Sequence, residues 1–473
     1  MADMILTDPR RQRWLLANSA LGAFIIFLDS YIVNVSLPTV ARFFGVGTSA
    51  VSGVTLAYLL VLTATLLIFG RLADRVGMKR VYMAGYACFT LGSLFCGLSP
   101  TLPALIESRC VQGLGGAMMF SVGPVLVPRY LPASMRGSAF GLVITAGALG
   151  MTLGAPLGGF ITGFVGWKWI FLVNVPIGIA AMVMAGRVLP SDADSKPAPV
   201  APFDLVGSIL SFSFMLALIF GLNQGEEMGW GSPAILACLA ASVVFGLLFL
   251  FRERRVRSPL LDLAIFRDPS IAAAGWVNLL GFMVTAGGNF LLPFYLTGVE
   301  GLRPEHTGLV LLTYSVVYAS LSPLMGRLSD RHPPRILCCA GMLSAAGACL
   351  FFSFALDTRG VWPTLAFLAW LGVSYAMFIS PLNNLIMGLA PAEELGEVSG
   401  VFKTLTNLSF VLGVTAFEAL FSLGIPGGLI HDAVPAAGIV LGLRRALVFG
   451  AAVCCIAFVF NARIRPAANP PAL

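Results

Sequence analysis

The chain has 473 residues, 58% of them hydrophobic and 11% charged, with 29 lysines and arginines against 22 carboxylates and a net charge of +7. Its mean hydropathy is +0.90. Soluble domains carry about 25% charged residues, so a water-soluble globule is excluded and lipid must be the solvent for most of the chain.

Reading for apolar runs of roughly 20 residues predicts fourteen spans, at 14–40, 50–70, 81–98, 102–127, 137–162, 165–187, 205–222, 233–251, 270–294, 307–326, 336–355, 361–388, 397–424 and 443–462. The first follows Arg10, Arg11 and Arg13 and is too long, with no small-residue cleavage site, for a removable signal peptide. Cations are retained on the cytoplasmic side during insertion. With the amino terminus inside, the outer loops hold only Arg42, Lys168, Arg303 and Arg359. An even number of spans then returns the carboxyl terminus to the cytoplasm. Topology accounts for the basic charge, so no nucleic-acid partner is expected. The nine cysteines lie in spans without metal-ligand spacing, and His306, His332 and His431 lie scattered in loops. No metal, disulfide or cofactor is expected.

Span one carries Asp29, about eleven residues from its outer end. A carboxylate in lipid is expensive, so it is expected to face an internal cavity and is a functional candidate. Arg109 lies about seven residues into span four from the same side, which puts both roughly 10 to 17 Å deep and within reach of each other. Glu107 is nearer the surface, and Glu418 lies in the outer half of span thirteen. Protonating such a carboxylate removes its charge and its desolvation cost. Movement of Arg109, or entry of a cationic substrate, could then expel a proton from Asp29 or from Glu418. The plainer alternative is a fixed Asp29–Arg109 pair, or a carboxylate satisfied by Asn34 and backbone groups.

Between spans two and three runs "GRLADRVGMKR", Gly70 to Arg80. Arg71, Arg75, Lys79 and Arg80 read either as ordinary cytoplasmic cations near lipid phosphates or, with Asp74, as a charge-assisted cluster formed in only one of two conformations. Gly70 and Gly77 permit close approach and a tight turn. Span five carries Gly150, Gly154 and Gly158 at four-residue spacing, with Gly159 and Pro156. Such a face packs closely on another helix, either as ordinary packing or as a seam between bundles. Tyr31, Asn34, Tyr58, Gln112, Phe282, Phe294, Asn383, Asn384 and Asn407 are candidates for an aromatic, sparsely polar substrate cavity, although aromatics in membrane helices also serve packing and lipid contact.

The segment "GRLSDR", Gly326 to Arg331, repeats the first six positions of the Gly70 cluster with one Ala-to-Ser change, making Gly326, Arg327, Asp330 and Arg331 its counterpart. Gly137, Gly141 and Gly154 return at nearly the same spacing as Gly396, Gly400 and Gly413. Both echoes join equivalent spans, two with ten and five with thirteen. The chain therefore divides into an amino-terminal six-helix bundle over 1–187, an insert over 188–269 with helices seven and eight, and a carboxyl-terminal six-helix bundle over 270–473. The Pro-rich stretch 190–202 and the charged stretch 252–268 read as connections. Repeated halves are how many secondary transporters are built.

These residues resemble the major facilitator superfamily and, within it, the fourteen-helix drug:proton antiporters. Gly70 to Arg80 is similar to the superfamily's G-x-L-A-D-R-x-G-R-K loop, departing at Met78, and its second copy breaks at Pro333-Pro334. Leu28 to Pro38 resembles the first-helix motif L-D-x-T-I-V-N-V-A-L-P, with Tyr31 for Thr and Ser36 for Ala. Arg109 and Gln112-Gly113-Leu114-Gly115 resemble R-x-x-Q-G-x-G. Gly150 to Gly159 resembles the antiporter motif G-x-x-x-G-P-x-x-G-G with its proline displaced to Pro156, and Trp167 to Pro176 resembles W-R-W-I-F-x-x-N-x-P. The resemblance implies an all-α membrane protein of the major facilitator fold, two six-helix bundles with two helices inserted between them. It implies proton-coupled efflux of lipophilic drugs or toxic compounds, neutral or cationic, across the cytoplasmic membrane by alternating access, with the Gly70 cluster latching the outward-facing state. Its partners would be a lipophilic small molecule, protons and the bilayer. A transporter of an endogenous metabolite, such as an amino acid, siderophore or lipid-like compound, is the alternative. No nucleotide-binding G-x-x-x-x-G-K-[ST] loop is present, Gly113 to Gly116 lie inside a span, and no coherent nucleophile and base set suggests an enzyme.

Overall fold

Pro176 cannot donate a backbone hydrogen bond to the carbonyl four residues earlier, and the predicted sixth span is accordingly broken. In the computed structural model, which describes residues 8–190, 204–225, 228–256, 263–358, 360–389, 395–423 and 436–464, a four-residue helix α6 (Trp169–Leu172) precedes α7 (Asn174–Val188). The other helices before the insert are α1 (Pro9–Phe44), α2 (Thr48–Val76), α3 (Met78–Leu98), α4 (Leu102–Tyr130) and α5 (Ala133–Phe164). Then come α8 (Leu205–Gln224) and α9 (Pro233–Glu253), a short 3-10 turn (Leu263–Arg267), α10 (Pro269–Gly298), α11 (Pro304–Arg331), α12 (Pro334–Ala355), α13 (Trp362–Leu389), α14 (Leu395–Ser422) and α15 (Ala436–Arg463). With α6 and α7 taken as one crossing, fourteen spans are long and apolar enough to cross a membrane, and each predicted span falls on one of them. The fold is all-α, as expected. The 190–202 linker falls almost wholly outside the described residues, as do His431 and part of 252–268.

Local chemistry sets several helix ends. The Thr101 side chain accepts from the Ala104 amide at the start of α4, and Asp268 accepts from the Ser270 amide ahead of α10, both satisfying donors that a helix start leaves free. Asp204 does the same for the Gly207 amide at 2.9 Å. Its carboxylate also receives the Arg252 Nε at 2.8 Å, which clasps the start of α8 to the last turn of α9.

Two units are distinguished by packing. The first comprises the described residues of Met1–Phe44, Gly53–Leu218 and Ala237–Leu260, the second those of Gly45–Ser52, Ile219–Leu236 and Leu261–Leu473. In the first, α1 lies on α5, where Gly150, Gly154 and Gly158 face Phe24, Tyr31 and Ile32. A Cβ on Gly154 would stand 2.6 Å from the Tyr31 Cβ. Gly92 brings α3 equally close to the Gln112 backbone on α4, and Gly113 brings α4 against the Tyr58 carbonyl on α2. In the second unit Gly413 sets α14 on α10, Gly341 sets α12 on α13, and Gly372 sets α13 against the Tyr314 carbonyl on α11. The repeat read in the sequence is thus carried by packing: Gly113 meets Tyr58 and Val61 as Gly372 meets Tyr314 and Val317.

Candidate functional site

Five helical segments of the first unit come close enough for buried polar side chains to meet, with Gly92 and Gly113 holding α3 and α2 against α4. On α4, Arg109 and Gln112 are three residues apart and so share a face. Opposite them, α1 presents Asp29, α2 the Val54 carbonyl and Tyr58, and α3 Ser93. The break before α7 places Asn174 at that helix's first position.

Arg109 and Asp29 form an ion pair at 2.6 Å, with side chains 1% and 0% exposed. The guanidinium also donates to the Gln112 Oε1 at 2.5 Å and through Nε to the Val54 carbonyl at 3.0 Å. Its carbon lies 4.2 Å from the centre of the Tyr58 ring and 5.7 Å from that of Phe171, within cation–π range. Asp29 Oδ1, the oxygen not held by Arg109, accepts from Gln112 Nε2 at 2.8 Å and from Asn174 Nδ2 at 2.9 Å. Gln112 Nε2 donates further to Ser93 Oγ at 2.8 Å. Every one of these contacts donates to the carboxylate or to a neutral acceptor, so the arrangement matches an ionised Asp29. A desolvated pair of this kind holds only while both charges and their hydrogen bonds persist. Changing the charge on either member is therefore a strong lever on the helices that carry them.

The remaining candidates are distributed as follows. Gly70, Arg71, Asp74 and Arg75 lie in the last two turns of α2, and Gly77 makes the turn into α3 at φ 111°. Asp74 is exposed and, among the described residues, makes no ion pair or hydrogen bond. Lys79 is half-buried, its Nζ donating to the carbonyls of Gly186 at 2.8 Å and Leu189 at 2.7 Å at the end of α7. In the second unit Gly326, Arg327, Asp330 and Arg331 end α11; Asp330 accepts from Asn384 Nδ2 at 3.0 Å, and Asn384 also bonds Ser329. Glu418 is buried on α14. Elsewhere on α5, Gly159 is buried and Pro156 half-buried. Of the cavity candidates, Tyr58 and Gln112 are fully buried within the Arg109 network. Asn34, rather than meeting Asp29, accepts from Thr55 at 3.3 Å. Tyr31 packs on Gly154. Phe282 stands in an aromatic cluster with Phe378 and Phe410, Phe294 packs on Phe290, Asn407 is buried, and Asn383 is exposed.

Residues 19–414 match the family model described as Major Facilitator Superfamily. The chain belongs to that superfamily. It is 30% identical over 416 residues to the riboflavin transporter RibZ of Clostridioides difficile (strain 630), across 87% of this chain and 89% of that one. It is 31% identical over 430 residues to the multidrug resistance protein Stp of Mycobacterium tuberculosis (strain CDC 1551 / Oshkosh), across 90% of this chain and 79% of that one. A crystal structure of a bacterial homolog to the human lysosomal transporter Spinster, inward-facing and unoccupied, matches with a TM-score of 0.69 over 98% of this chain and 100% of that one. At 14% identity this last likeness speaks to the fold alone. With fourteen candidate spans and a relative named for multidrug resistance, the chain resembles the superfamily's fourteen-helix, drug:proton antiporter type. It is accordingly a multi-pass membrane transporter rather than an enzyme.

Within this superfamily member, sequence reasoning found the Asp29–Arg109 pair and missed what surrounds it. Gln112 stands out in the sequence as a cavity residue, whereas the structure ties it to both members of the pair. Asn174 was legible only as part of the Trp167 to Pro176 motif. The usable signal was an asparagine inside an apolar span, where an amide needs a polar partner.

Proposed function

We propose that the chain is a proton-coupled antiporter that exports lipophilic compounds, neutral or cationic, across the cytoplasmic membrane by alternating access. The buried ion pair of Asp29 with Arg109 is the observation that carries the reading. A proton taken by Asp29 cancels the carboxylate and leaves the guanidinium uncompensated in a low-dielectric site, which favours a different packing of α1, α2 and α4. Loss of that proton restores the pair, so proton binding and helix packing are linked. Glu418 is the second candidate carrier. In this scheme both termini are cytoplasmic, and the Gly70 and Gly326 clusters act as conformational latches at the cytoplasmic ends of α2 and α11. Kinship with a protein named for multidrug resistance supports export of drug-like substrates.

The test is transport in proteoliposomes loaded with ethidium and given an imposed pH gradient, comparing wild type with Asp29→Asn. Gradient-driven movement that disappears in the variant is the expected result. Persistence in Asp29→Asn would move the proton to Glu418. The relative named as a riboflavin transporter supports a second reading, transport of an endogenous metabolite. Gradient-indifferent movement of a flavin, with no movement of ethidium, would favour it.

A further inference from the structure

A carboxylate that gains and loses a proton needs neighbours suited to both states. The ionised form wants donors; the acid needs, in addition, an acceptor for its new O–H. Around Asp29 the structure supplies donors in abundance: Arg109 at Oδ2, and Gln112 and Asn174 at Oδ1. The charged and titratable groups facing it are Arg109 from α4, Tyr58 from α2 and Cys96 from α3. From Gly141 to Phe164, α5 has none.

Three groups touch the carboxylate, and two of them cannot take the O–H. Arg109 has no acceptor atom. Gln112 uses Oε1 to accept from Arg109 at 2.5 Å and from Cys96 Sγ at 3.7 Å, and it uses Nε2 to reach Ser93. Turning its amide over would set donor against donor at the guanidinium. Asn174 differs. It is 1% exposed, its Nδ2 donates to Asp29 Oδ1, and its own Oδ1 is buried with no hydrogen-bond partner among the described residues. A buried amide holding one hydrogen bond through nitrogen, with an idle oxygen on the same carbon, keeps one hydrogen bond in either orientation.

We propose that Asn174 is the positioning residue that adapts the site to the protonation of Asp29 by turning its amide over. This rests on the reading of Asp29 as the proton carrier. One proton from solvent adds to a lone pair of Asp29 Oδ1. The bond from Asn174 Nδ2–H to that oxygen breaks, and the new Asp29 O–H donates to Asn174 Oδ1. Arg109 keeps its proton throughout. Because Asn174 is the first residue of α7, beside the break at Val173, the turn takes place where the sixth span is already interrupted.

The experiment is infrared difference spectroscopy on the purified full-length protein in lipid, stepped between alkaline and acidic buffer, with wild type, Asp29→Asn, Asn174→Leu and Asn174→Ser. In wild type a carboxylic-acid band should rise together with a shift in an asparagine amide carbonyl band. Both should vanish in Asp29→Asn, and the amide shift alone should vanish in Asn174→Leu. Proton-driven exchange should fall roughly tenfold or more in Asn174→Leu, the worth of one hydrogen bond to a charged group. It should partly return in Asn174→Ser, whose hydroxyl rotates between donating and accepting. An Asp29 band that titrates with no accompanying amide shift, or a shift that survives both Asn174 variants, overturns the assignment of Asn174 alone. Absence of any acid band that depends on Asp29 overturns the coupling reading beneath it. The wild-type and Asp29→Asn spectra decide between these even if Asn174→Leu does not fold.

Discussion

Gly113 faces the carbonyl oxygen of Tyr58 so closely that a Cβ on the glycine would lie 2.8 Å from it, and Gly372 stands 2.9 Å by the same measure from the carbonyl of Tyr314. Two helix pairs, α2 with α4 and α11 with α13, are thus held by the same contact in the two halves. Adding a methyl group at either position forces backbone apart, an overpacking cost of about 1–3 kcal/mol. Gly113→Ala and Gly372→Ala should each lower the unfolding temperature in detergent. Gly288→Ala, where a Cβ meets nothing within 4 Å, should leave it unchanged.

Arg109 holds Asp29, Gln112 and Val54 at once while covering the Tyr58 ring. A lysine ammonium is a point donor on a flexible stem and cannot reproduce that planar fork. Arg109→Lys should fold with reduced thermal stability and impaired export. Arg109→Ala strands a buried carboxylate at a cost of about 3–5 kcal/mol. The double variant Asp29→Asn with Arg109→Gln should regain much of the lost stability without regaining gradient-driven transport, as read by thermal unfolding alongside the proteoliposome assay.

Gly77 adopts φ 111° and ψ 138°, a region essentially confined to glycine. Asparagine tolerates the left-handed helical region but not this one. Gly77→Ala and Gly77→Asn should therefore both destabilise the α2–α3 turn, by about 1–3 kcal/mol. Recovery of wild-type stability by Gly77→Asn alone would show that the turn adopts a different conformation.

Asp74 is exposed and, among the described residues, unpaired, whereas Asp330 is bonded to Asn384. If Asp74 acts only in another conformation, Asp74→Asn should leave the folding stability within about 0.5 kcal/mol of wild type, as for an ordinary surface change, while slowing export. Asp330→Ala should be felt in both measurements. Equal transport rates for wild type and Asp74→Asn would remove Asp74 from the latch.

The sequence by itself determined the solvent, the number of spans and the doubled plan, because apolar length and a repeated string are local properties. It also singled out Asp29 and Arg109, because a charge in lipid is too costly to be incidental. Which way each helix turns was not legible: residues facing lipid and residues facing protein are alike apolar, so no periodicity separates them. Only the packed structure showed that the α5 glycines lie on α1, that Asn34 turns to Thr55 while Asn174 turns to Asp29, and that Lys79 binds the end of α7. It also showed where the halves part company. Counted from Gly113 and Gly372, the positions of Arg109 and Gln112 answer to Leu368 and Leu371, both buried. The shared contact of glycine on carbonyl depends on the backbone and survives in both halves. The charge network depends on side chains converging from five segments, and that convergence exists only once the helices have packed.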